Sequence, residues 1–122
     1  MKKSNLSVLL VLISLLLVGC HQQVSVCEGV KKPSDLPWLS EMVRLCESVG
    51  PTLRSIDRIT YSLPNDRTTY VGFYAITGSE QRQIRIIYDC DGNIVTHYGG
   101  YTACLGECDA KILSSERIYT MP

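Results

Sequence analysis

Six cysteines, two histidines and a short acidic cluster are the residues of this 122-residue chain whose chemistry goes beyond packing and charge. Thiols at this density serve as disulfide staples, as soft metal ligands, or as nucleophiles activated by a nearby base. His97 with Cys104 and Cys108 comes closest to the tight Cys/His spacing of a zinc site. His97 is also the histidine that could deprotonate a cysteine nucleophile, because His21 precedes any patterned segment. Asp89, Asp91 and Asn93 alternate around Gly92 as the first oxygen ligands of a calcium loop do. Such a loop needs a bidentate Glu at its twelfth position, and counted from Asp89 that position is Gly100. A hairpin turn accounts for the same residues. No glycine-rich phosphate loop and no serine nucleophile elbow is present. The residues therefore call for no metal and no cofactor, and point away from an enzyme.

Cys20 belongs to a different chemistry. Lys2 and Lys3 give a basic start, residues 6–18 form an apolar run broken only by Ser7 and Ser14, and small Gly19 stands directly before Cys20. That is the three-part layout of an export signal. As a helix the run rises only about 20 Å, against roughly 30 Å for a bilayer core, so it does not make a comfortable permanent span. Leu17-Val18-Gly19-Cys20 resembles the lipobox of bacterial lipoproteins. The resemblance implies cleavage between Gly19 and Cys20, a diacylglycerol on the Cys20 thiol and a further acyl chain such as palmitate on the new amino group. Several acyl chains anchor firmly, each buried methylene contributing about 0.8 kcal/mol. His21, where an acidic residue would favour the inner membrane, implies an outer membrane destination, and the lack of an acidic run after Cys20 implies the periplasmic face.

Three segments follow: residues 1–19 as lipoprotein signal peptide, 20–33 as lipidated tether, and 34–122 as one small domain. Loss of Lys2 and Lys3 turns the balance of 12 basic and 12 acidic residues slightly acidic. A nucleic-acid partner needs a clustered basic excess, and the longest basic cluster is Lys31-Lys32, so none is expected. A small exported core gains from covalent staples. With Cys20 given to lipid, Cys27, Cys46, Cys90, Cys104 and Cys108 are the disulfide candidates, an odd number that predicts two bridges and one spare thiol. Their pairing is open at this level.

The elements that must position these residues follow from apolar period. Leu39, Met42, Val43 and Cys46 recur at i, i+3, i+4 and i+7, which predicts a helix over about residues 35–49, begun by Ser34 and Asp35 and ended by Gly50-Pro51. Trp38 in its first turn is expected to lid the core. Beyond Pro51 the period becomes 2. Strands are predicted over 56–63, 69–77, 84–88 and 94–98, separated by Pro64-Asn65-Asp66, Gly78-Ser79-Glu80 and Asp91-Gly92-Asn93. Residues 101–111 are expected to form a loop ordered by a disulfide, and 117–120 a short last strand or extended tail. The fold class expected is α+β, with one N-terminal helix packed on a four-stranded antiparallel meander in a cystatin-like arrangement. Parity then places Val71, Phe73, Val95 and His97 on the uncovered face, as a possible binding surface.

Several pieces together resemble a family of small uncharacterised lipoproteins common in Bacteroidota. They are Leu36-Pro37-Trp38-Leu39, Tyr88-Asp89-Cys90-Asp91-Gly92-Asn93, Gly99-Gly100 and Cys108-Asp109. Members of that family often have a cysteine directly after the isoleucine or valine of the fourth strand, where Val95-Thr96 stand in this chain. The family has no assigned activity. The functional expectation is a lipid-anchored, non-catalytic binding or structural module of the cell envelope, joined to the membrane through its lipid and to an envelope protein partner. The alternative is a cysteine- or histidine-dependent enzyme or metal-binding protein of the periplasm.

Overall fold

The computed structural model describes residues 27–99 and 102–122. The expected signal peptide, Gly19, Cys20 and the first part of the tether lie outside these residues.

Two 3-10 turns, Cys27–Gly29 and Pro33–Asp35, lead into helix α1 (Pro37–Ser48). Asp35 does not cap α1, as its position suggests it should. Its Oδ2 accepts the backbone N–H of Lys31 at 2.9 Å and of Lys32 at 3.3 Å, so it folds the chain one step earlier. Pro37 occupies the first turn of the helix, where its missing N–H leaves no bond unmade. At the other end Gly50 takes φ +88°, and its N–H donates to the Cys46 carbonyl at 3.0 Å. The predicted apolar stripe is the packed one: Leu39 is fully buried, and Met42, Val43 and Cys46 pack against its cluster.

Six strands follow: β1 (Leu53–Ser62), β2 (Thr69–Gly78), β3 (Gln83–Asp89), β4 (Ile94–Gly99), β5 (Thr102–Gly106) and β6 (Lys111–Thr120). They form one antiparallel sheet in the order β5-β4-β3-β2-β1-β6. This corrects the expected fold. The four-stranded, cystatin-like meander is only the middle of the sheet; the segment read as a loop supplies β5, and the segment read as a tail supplies β6. β6 was hidden because its seven residues from Lys111 to Arg117 are all exposed, so no alternation of apolar and polar side chains marks it.

Both faces of the sheet are covered. Directly paired residues share a face, so Ile56, Ala75, Phe73 and Tyr88 project to one side. There they pack with α1, Cys27 and Val30. Trp38 lids this core, its ring 5.7 Å from Phe73 and 5.6 Å from Tyr88, while its Nε1 donates to the Cys90 carbonyl at 2.8 Å. Gly92, at φ +90°, lies so close under the indole that a Cβ there would come within 2.9 Å of it. On the other side Ile59, Tyr61 and Ile87 form a second buried cluster with Tyr70, Tyr74, Val95 and Ala110.

Among the described residues no second helix covers that other face; the sheet does so itself. β5 and β6 stand at opposite edges of the sheet, yet residues 107–110 join them. In a flat sheet five strand spacings would separate the edges by about 24 Å. The chain from Gly106 to Lys111 reaches at most about 19 Å. The sheet must therefore roll, with the Ile59, Tyr61 and Ile87 side concave and α1 on the convex side. β6 is also irregular at its pairing with β1: Ile118 and Leu113 are each skipped in the register.

Candidate functional site

The concave side of the rolled sheet holds an open cleft of about 270 Å³, floored by Ile87, Thr96 and Tyr98 and rimmed by Cys104, Cys108, Ala110 and Ile112. Sequence reasoning missed it, since it exists only because β5 and β6 are strands and their connection is short. Each wall has a local cause. Thr96, 2% exposed, turns its hydroxyl to the Glu107 carbonyl at 2.8 Å, and the Glu107 N–H donates to the Val95 carbonyl at 2.8 Å. These two bonds tie the 107–110 connection down across β4. Gly106 makes the turn possible: it takes φ +86°, and a Cβ there would come within 2.2 Å of the Val95 carbonyl oxygen. Cys104 and Cys108, with Cα atoms 5.9 Å apart, are joined as a disulfide at the rim.

Polar groups in the cleft are few. The Tyr98 hydroxyl lies 3.3 Å from that of Tyr74. Burial first, and then this contact, push the Tyr74 hydroxyl up to about 12, although the nearby Arg85 guanidinium acts the other way. The Tyr74 phenol is therefore neutral at physiological pH, able to donate as well as accept. A largely apolar lining with the Tyr98 hydroxyl at one side suits a small, mostly apolar group carrying a hydrogen-bonding tip.

The cysteines divide as their odd number predicts. Cys27 pairs with Cys90 (Cα atoms 5.8 Å apart), Cys104 pairs with Cys108, and Cys46 is free. Cys46 sits on α1 at the convex side, and burial pushes its thiol up, away from the thiolate that a nucleophile needs. His97 pairs with Ile86 and Leu105, and so projects to the face opposite Ile87 and Thr96. It therefore faces away from the Cys104–Cys108 rim. Its Nδ1 is buried with no hydrogen-bond partner. Asp89 behaves as a turn residue: its Oδ1 accepts the N–H groups of Asp91 and Asn93, both at 2.9 Å. Among the described residues no three or more His, Cys, Asp or Glu side chains gather as a metal site.

The surface expected from Val71, Phe73, Val95 and His97 is not a surface. Phe73 is 0% exposed beneath Trp38, and Val71 packs on the same core. Val95 is skipped in the β3–β4 register and packs with the concave cluster instead. Parity misplaced them because it assumed a sheet with one dry face, whereas α1 covers one face and the roll closes the other.

No helix among the described residues is long and apolar enough to cross a membrane. In comparisons with known proteins, no family model, no curated protein and no solved structure matches this chain.

Proposed function

We propose that this protein is a lipoprotein of the bacterial cell envelope, anchored through lipid on Cys20 to the outer membrane facing the periplasm. Its domain is a non-catalytic binding module that presents the concave cleft to an envelope partner. The two disulfides support this reading, since such bridges persist in oxidising compartments outside the cytosol. The observation that carries it furthest is the Cys27–Cys90 bridge. It pins the chain to the β3–β4 hairpin seven positions after Cys20. A tether of that length reaches at most about 25 Å, so the domain is held close against the lipid surface. The export signal, the thiol at its cut and the short leash are consistent with one design, a domain fixed within a molecular diameter of its membrane.

Metabolic labelling with a palmitate analogue tests the anchor. The wild-type protein is expected to carry label and to fractionate with outer membrane, and Cys20→Ala to remain an unlabelled precursor. Label and membrane retention unchanged in Cys20→Ala would overturn the reading. Photo-crosslinkers placed at Ile112 beside the cleft and at Arg44 on α1 test the surface in intact cells. A protein adduct specific to Ile112 supports the cleft, and equal capture at both positions counts against it.

A further inference from the structure

We propose that the Cys104–Cys108 disulfide is a thiol-exchange site, attacked at the Cys108 sulfur, and that opening it frees the strap over the concave cleft. The inference does not depend on the lipid anchor or on a bound partner.

The two bridges of this domain are built differently. Cys27 is 2% exposed and is joined to Cys90 over a sequence separation of 63. Cys104 and Cys108 are only 4 apart, Cys108 is exposed and Cys104 half-buried. Resistance to opening grows with the length of chain that a bridge closes, and exchange requires access to a sulfur. On both counts the rim bridge is the one that thiols reach and open. Its place gives the opening a consequence. The 107–110 strap is the connection that draws the two edges of the sheet together, and four ties hold it: the bridge, the Thr96 hydroxyl to the Glu107 carbonyl, the Glu107 N–H to the Val95 carbonyl, and the Cys108 N–H to the Gly106 carbonyl. The bridge is the one covalent tie of the four, and both of its cysteines line the cleft.

The chemistry balances with two thiols as co-reactants. A thiolate forms a bond to the Cys108 sulfur, the Cys104–Cys108 bond breaks, and its electron pair passes to the Cys104 sulfur, which takes a proton. A second thiol then attacks the mixed disulfide on its own side, and Cys108 leaves as a thiolate. The protein disulfide is reduced to two thiols, and two external thiols are oxidised to one disulfide. Cys46 takes no part, because it lies on the convex side of the sheet.

The test uses the full-length lipoprotein in detergent, titrated with dithiothreitol or with reduced glutathione, quenched with an alkylating reagent and mapped by mass spectrometry. Cys104 and Cys108 are expected to be half-alkylated at a thiol concentration at least about tenfold below that needed for Cys27 and Cys90. Joint opening of both pairs, or earlier opening of Cys27–Cys90, would overturn the exchange site. Hydrogen exchange then reads the strap. Amides of 105–110 are expected to exchange faster in the selectively opened protein and in Cys104→Ser/Cys108→Ser, while β1 and β2 stay protected. Identical exchange in bridged and opened wild-type protein would overturn the link to the cleft, whether or not the double variant folds.

Discussion

Phe73 and Tyr74 are neighbours on β2 that face opposite cores, and they show how much one residue's side of the sheet decides. Phe73 is fully buried between Trp38 and the α1 stripe, so Phe73→Ala leaves a cavity as well as losing transfer energy. The expected cost is about 3–5 kcal/mol by denaturant unfolding. Tyr74 carries a pH signature instead. Its hydroxyl is pushed up from its ordinary value of 10.0 to about 12, chiefly by burial, so the fold favours the neutral form. A group whose folded value is raised contributes fully below its unfolded value, and the contribution fades as pH climbs through the folded one. Stability is therefore expected to fall between about pH 10 and pH 12. That part of the fall is expected to be smaller in Tyr74→Phe, which denaturant midpoints across the range would show. The residue types at these positions were readable in the sequence, and the alternation too. That both sides were dry was not, because alternation alone says only that two sides exist.

Elements were more legible than faces. The α1 stripe announced itself through four apolar residues at helical spacing, and the same spacing makes a sharp comparison. Leu39→Ala is expected to cost about 2–5 kcal/mol. Arg44→Ala, which removes only an exposed pair with Glu41, is expected to leave the unfolding midpoint nearly unchanged in the same assay. The central four strands were readable from period and turn residues for the same reason: each half-buried strand writes its environment into alternate positions. β5 and β6 write nothing comparable, being the strands at the two opposite edges, one short and one mostly exposed. The bridges that staple these elements should also differ in weight. By the chain they close, losing Cys27–Cys90 is expected to cost about 4 kcal/mol and losing Cys104–Cys108 about 2 kcal/mol. Thermal unfolding of the two paired Cys→Ser variants checks the order, and a larger loss for the rim bridge would refute it.

At the scale of the whole molecule, the cleft and the roll share one cause that no single segment shows: four residues must join the opposite edges of a six-stranded sheet. The candidate site was therefore not legible before the pairing of β6 with β1 was known, although its rim cysteines were. The skipped residues of β6 have their own bearing on how copies of this domain meet. An exposed edge strand is a template for pairing with another chain, and even weak edge-to-edge stacking would grow into ribbons. An outer strand kinked at Leu113 and Ile118, and carrying Lys111, Glu116 and Arg117, offers no straight ladder for a neighbour to zip onto. Deleting Leu113 restores a regular register at that point. The variant is expected to self-associate with rising concentration in sedimentation velocity where the parent does not. Two residues that the ladder leaves out thus interrupt the edge on which a second copy would have to build.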